Sequence, residues 1–158
     1  MNVEQAYIKS SEKERVIEIV KRRLNGDLKD IHLNSQIDVP DSYETIIAND
    51  IKRKIAISSS INGWITIIES KEVNDYAMLL KISKELQTEV LAVIQSDITG
   101  TWGFVEMFKG KIVKSYFSEE DDEIEVLLER KLKQKEICKP LYMFREVVEQ
   151  RGNGWNIV

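Results

Sequence analysis

Asp97, Thr99, Thr101 and Trp102 lie close together in the run Asp97-Ile98-Thr99-Gly100-Thr101-Trp102-Gly103-Phe104. Their types could do chemistry: a carboxylate and two hydroxyls can hydrogen-bond or activate a polar substrate, and an indole can cover an apolar one. They follow the apolar run Val90 to Ile94. Polar residues just past a strand end are held still by the sheet while their loop stays open to solvent. These four residues are therefore the candidate binding site of the chain, with no catalytic role assigned to any of them. The same residues also make a plain connection, with Asp97 forming an Asx turn, Gly100 taking positive φ, Gly103 leaving room beside an aromatic ring, and Trp102 in the core. On residue types alone the connection is the stronger reading.

Other reactive groups offer less. His32 is the one histidine and Cys138 the one cysteine, so an internal disulfide and a Cys/His zinc cluster are excluded. A thiol–imidazole pair would need a glycine-rich oxyanion loop near Cys138, and none is present. The chain lacks a Gly-x-Gly-x-x-Gly fingerprint, a phosphate loop and a His-Glu-x-x-His pair. Asp121, Asp122 and Glu125 lack the glycine turn and alternating ligands of a calcium-binding hand. No metal and no cofactor are expected.

Those groups must be positioned by a core, and the composition supplies one. Of 158 residues, 42% are hydrophobic and 32% charged, with only 7 Gly and 2 Pro; a disordered or collagen-like chain is excluded. No linker-like stretch divides residues 1–158, which predicts a single domain. No apolar run reaches the roughly 18 residues of a membrane helix. The start Met1-Asn2-Val3-Glu4-Gln5 lacks the basic-then-apolar pattern of a secretion signal. A cytoplasmic protein without a membrane partner is expected. The net charge of −4 gives no global attraction to nucleic acid. RNA binding through Trp64 and Trp102 is the least favoured reading.

Periodicity predicts the elements. Ser11-Glu12-Lys13-Glu14 has capping-box spacing, and Val16, Ile17, Val20 and Leu24 continue as a helix ending in Lys21-Arg22-Arg23, bases suited to its negative end. A short helix is predicted over about 42 to 50. Strands over 54–59 and 63–69 are predicted to form a hairpin around Asn62-Gly63. A helix from Asn74 or Asp75 to Thr88 follows. Val90 to Ile94 reads as a central strand covered on both faces. Strands over 101–108 and 111–117 flank Lys109-Gly110. Six of the seven residues from 119 to 125 are acidic; with Ile124, Leu127, Leu128 and Leu132 they predict a solvated helix, acid first and base last. A last helix is predicted from Pro140 to Gln150, and the tail from Asn153 could form a short strand.

The fold class is thus α+β: a mainly antiparallel sheet of about five strands, ordered β-β-α-β-β-β, with N- and C-terminal helices packed on one face. The segments Gly63-Trp64-Ile65-Thr66-Ile67, Leu79 to Leu86, Asp97 to Phe104 and Gly110-Lys111-Ile112-Val113 resemble a group of functionally uncharacterised bacterial cytosolic proteins. Val39-Pro40-Asp41-Ser42-Tyr43-Glu44 is similar to the Leu-Pro-x-x-Tyr segment of the SUKH superfamily, which includes immunity proteins that bind toxins. The missing nucleophile and base, the acid-rich surface and that resemblance together imply a non-enzymatic protein-binding module of the bacterial cytosol, immunity-like, whose partner is another protein. The alternative is a small-molecule-binding or hydrolytic enzyme using the Asp97 to Trp102 loop.

Overall fold

Two tight turns hold two hairpins. Asn62 and Gly63 have φ of 52° and 82°, and Lys109 and Gly110 have φ of 50° and 82°. Positive φ at both central residues gives the turn whose twist matches that of paired strands. Ile61 and Trp64 bridge across the first turn. Glycine takes the second central position of each at little steric cost.

The computed structural model describes residues 2–25, 53–70, 73–96, 101–118, 122–137 and 155–158. The predicted helices over 42–50 and 140–150, together with His32, Cys138, Asp97 and Thr99, lie outside the described residues. In chain order the elements are β1 (Asn2–Lys9), α1 (Lys13–Leu24), β2 (Ile55–Ile57), β3 (Trp64–Glu69), α2 (Tyr76–Glu85), β4 (Glu89–Ser96), β5 (Thr101–Phe108), β6 (Lys111–Ser118), α3 (Asp122–Gln134) and β7 (Asn156–Ile157). The strands form one sheet in the order β6-β5-β4-β1-β3-β2-β7. Every neighbouring pair is antiparallel.

The α+β class and the antiparallel sheet agree with expectation, but the sheet has seven strands rather than about five. The tail supplies β7. The larger difference is β1, which was not expected as a strand and stands at the middle of the sheet between β4 and β3. Its polar Glu4 and Gln5 break the strand pattern, and both are accommodated: Gln5 Nε2 donates to the Tyr7 hydroxyl at 2.6 Å, and a Glu4 carboxylate oxygen accepts from the Asn74 amide at 2.7 Å.

Side chains alternate across a strand, and both faces of this sheet are covered. On one face Ala6, Ile8, Val90, Ala92 and Ile94 pack with Val16, Ile17 and Val20 of α1 and Met78, Leu79 and Ile82 of α2. On the other, Tyr7, Leu91, Val93 and Phe104 lie under Leu128 and Leu132 of α3. Helices confined to one face, the expected arrangement, are therefore replaced by two on one side and one on the other. Val90 to Ile94 are at most 4% exposed, as expected of a doubly covered strand. Each of the Val, Leu and Ile side chains among them contributes about 1.5–3 kcal/mol on burial.

The helix ends differ in detail from expectation. Glu12 rather than Ser11 precedes α1, with no side-chain cap; its amide donates to Ser10 Oγ at 2.9 Å. Asp75 caps α2 by accepting from the Met78 amide at 3.1 Å. α2 stops at Glu85, short of Thr88, because Gln87 turns to φ 50° and the Thr88 amide returns to the Ser83 carbonyl. α3 ends the same way, with Glu136 at φ 56° and the Ile137 amide donating to the Leu132 carbonyl. Both are Schellman stops with a non-glycine residue in the left-handed position.

Candidate functional site

Thr101 opens β5 opposite Ser96, and the next residue, Trp102, stands between Gln95 and Ser118. Adjacent residues of a strand face opposite sides. Trp102 is half-buried and shares the α3 side of the sheet with Phe104; Thr101 shares the α1–α2 side with Val105. The two described members of the sequence candidate thus point away from each other. Asp97 and Thr99 precede them in residues that are not described. Gly103 sits where a Cβ would meet the Tyr116 carbonyl and the Phe117 ring, which accounts for glycine between two aromatic residues.

The end of the sheet where β4 finishes carries a constellation that residue spacing does not reveal. On the α1–α2 side, Arg53 donates to both oxygens of the Glu69 carboxylate and, at 2.7 Å, to Asp75 Oδ2. Arg23, in the last turn of α1, reaches the same Asp75 oxygen at 2.9 Å. The Asp75 side chain is fully buried, and those of Arg23 and Arg53 are 15% and 14% exposed. Asn74 joins the cluster to the strands, its amide donating to Glu4 and its side chain, at 3.2 Å, to the Val93 carbonyl.

This cluster ties α1, α2, β1, β2, β3 and β4 together through charge-assisted hydrogen bonds. Its carboxylates are held by guanidinium groups, an arrangement that orients elements instead of presenting a base to substrate. No group of three or more His, Cys, Asp or Glu that could hold a metal occurs among the described residues. A second helix-end base of α1 is spent in the same way: Arg22 pairs with Glu85 at 2.5 Å. Burial alone would raise the Glu85 carboxyl, but the hydrogen bonds and charges of Arg22 and Lys81 outweigh it and hold the pKa below the usual value.

The opposite side of the sheet has a different character. Phe104 and Tyr116 stack with centroids 6.3 Å apart, and Lys131 lies 4.7 Å above the Phe104 ring while pairing with Glu106 at 2.6 Å. Lys135 pairs with Glu89 and approaches Glu106 at 3.6 Å. Burial, assisted by the charge of Lys9, holds its ammonium pKa below the ordinary lysine range. Trp64 is 5% exposed and donates its indole N–H to the Lys135 carbonyl at 2.9 Å. It is a core residue, and so not a platform on which a base could stack. Trp155 packs half-buried on Ala56 and Ile68.

At the edge of the sheet, β6 carries a bulge where Glu106 pairs with Lys114 but Met107 with Ile112. Val113 is the extra residue and is 56% exposed. A shallow depression of about 320 Å³ on α3 is lined by Glu129, Leu132, Lys133 and Ile137. No helix among the described residues is long and apolar enough to cross a membrane. The described elements define an antiparallel sheet layered by helices on both faces and braced by a buried ion cluster. No protein-family model, curated protein or solved structure matches the chain.

Proposed function

We propose that this chain is a non-enzymatic protein-binding module of the bacterial cytosol, of the immunity type, whose contact face is the flank made by β5, β6 and α3. One observation carries the reading. Of the seven exposed large hydrophobic residues among those described, five, namely Phe108, Val113, Tyr116, Val126 and Leu127, belong to these three elements. The elements follow one another in the chain, β6 pairs with β5 and α3 packs on β5, so the five residues lie on three adjoining elements. Exposed apolar side chains collected in one region mark an association surface, whereas singly scattered ones do not. The bulge and the lysines of β6 discourage indiscriminate pairing along this edge, which leaves side chains as the recognising groups.

The test compares pull-downs from the extract of the native cell by the wild-type chain and by a Val113→Asp/Leu127→Asp variant, both substitutions at exposed positions. A protein bound by the former and released by the latter is expected. Identical recovery with both would sink the assignment of this face.

A second reading, a small-molecule site beside the Asp97 to Trp102 loop, draws on the buried Ser96, which pairs with Thr101 at that end of the sheet. It requires that Thr101→Val weaken a ligand that Trp102→Leu leaves bound, because the two side chains face opposite sides.

A further inference from the structure

We infer that the turn between β5 and β6 receives an acidic protein surface; this deepens the binding function proposed above and rests on it. The backbone gathers four exposed lysines at this turn from three separate parts of the chain, Lys84 on the α1–α2 side of the sheet and Lys9, in step with Tyr7, on the α3 side. Lys109 and Lys111 flank Gly110. Lys84, in the last turn of α2, lies against the turn from below: a Cβ on Gly110 would stand 2.9 Å from the Lys84 Cβ. Lys9 ends β1 alongside. Its carbonyl accepts from the Thr88 hydroxyl at 2.5 Å, and the Thr88 carbonyl accepts from the Lys109 amide at 3.4 Å.

Among the described residues none of these four lysines forms an ion pair with a carboxylate. The acids on either side of Thr88 are already engaged, Glu85 by Arg22 and Lys81 and Glu89 by Lys135. The chain as a whole carries a net charge of −4, so this positive pole is local and opposite in sign to the rest of the molecule. Such a pole steers approach and sets the orientation of an oppositely charged partner.

The neighbouring residues indicate what kind of polyanion fits. Phe108 and Val113, 45% and 56% exposed, stand on either side of the lysine turn in the sequence. Apolar groups ringed by charge are the make-up of a protein interface. Single-stranded nucleic acid is held by a row of open aromatic faces; here Trp64 is buried, the Tyr116 ring stacks on Phe104, and the Lys109 ammonium lies 5.1 Å from the Phe108 ring. An acidic protein surface with an apolar centre is the better complement.

The probe is fluorescently labelled polyglutamate, titrated by anisotropy across a range of salt concentrations beside a single-stranded RNA of equal length. The expected result is binding of polyglutamate that weakens as salt rises and falls about tenfold or more in a Lys84→Glu/Lys109→Glu/Lys111→Glu variant, about 1.4 kcal/mol or more. A Lys109→Glu/Lys111→Glu variant, changed only at the turn, is expected to show a smaller loss of the same sign. Absence of binding at low salt, affinity unchanged in both variants, or tighter binding of the RNA would overturn the inference. The protein recovered by pull-down separates the two levels. Its retention by the lysine variants together with its loss from Val113→Asp/Leu127→Asp removes the acidic partner and keeps the binding face; retention by all variants removes both.

Discussion

The Arg23 guanidinium donates to the Asp75 carboxylate at 2.9 Å, so the last turn of α1 is fastened to the residue that starts α2. Arg53 shares that carboxylate and carries the connection to β3 through Glu69. Asp75→Ala takes from two largely buried guanidinium groups the carboxylate they share and from the Met78 amide its acceptor. Breaking a buried pair on one side costs about 3–5 kcal/mol. Urea denaturation is expected to show a loss of that order, and a loss below about 1 kcal/mol would mean that the cluster is not the brace described.

Tyr7 makes alkaline stability a second measurable property. Burial, opposed by the Gln5 hydrogen bond, pushes its hydroxyl up to about 12, whereas an unfolded tyrosine ionises near 10. Between these values the unfolded chain releases a proton that the folded chain keeps. The stabilisation is complete below about pH 10 and is lost as pH rises toward 12, by about 3 kcal/mol in total. Tyrosinate absorbance followed against pH is expected to show a late, unfolding-coupled transition in the wild type whose amplitude is smaller in Tyr7→Phe.

Ser83 joins α2 to the lysine turn. Its buried hydroxyl accepts from the Gly110 amide at 2.9 Å and donates to the Leu80 carbonyl at 2.8 Å. Ser83→Ala leaves the Gly110 N–H without that acceptor, at a cost of about 1–3 kcal/mol. Amide hydrogen exchange at Gly110 is expected to accelerate, and exchange at the wild-type rate would show that the turn is held by its own backbone.

Gln87 and Glu136 end α2 and α3 with φ of 50° and 56°, a conformation that glycine adopts without a Cβ penalty. Glu136→Gly and Gln87→Gly are each expected to stabilise the fold by about 0.5–1 kcal/mol. Thermal melting checks this, and a lowered midpoint would show that side-chain contacts outweigh backbone strain at these positions.

Much of the architecture was legible because its causes are local. Asn62-Gly63 and Lys109-Gly110 mark hairpin turns through φ preferences acting within two residues. The stripe from Tyr76 to Leu86 and the uniform apolar run from Val90 to Ile94 announce a helix packed on a sheet and a strand covered on both faces. The candidate loop was legible only as a run of polar types. Consecutive strand residues point to opposite faces, and this separates Thr101 from Trp102 once β5 extends through both.

By itself, the order of residues determined the α+β class, two hairpins and three of the helices, since propensities, turn conformations and amphipathic periods act over a few neighbouring positions. Tertiary structure decided the rest. β1 takes the centre of the sheet by pairing with strands tens of residues away, at Ile67 and Ala92 on either side of Ala6. Arg23, Arg53, Glu69 and Asp75 form a brace, and Lys9 joins Lys84, Lys109 and Lys111, because the folded backbone brings together charges that carry no mutual signal along the chain. Contacts of that range depend on register and on which face each strand presents, and both are set only when the whole sheet has assembled.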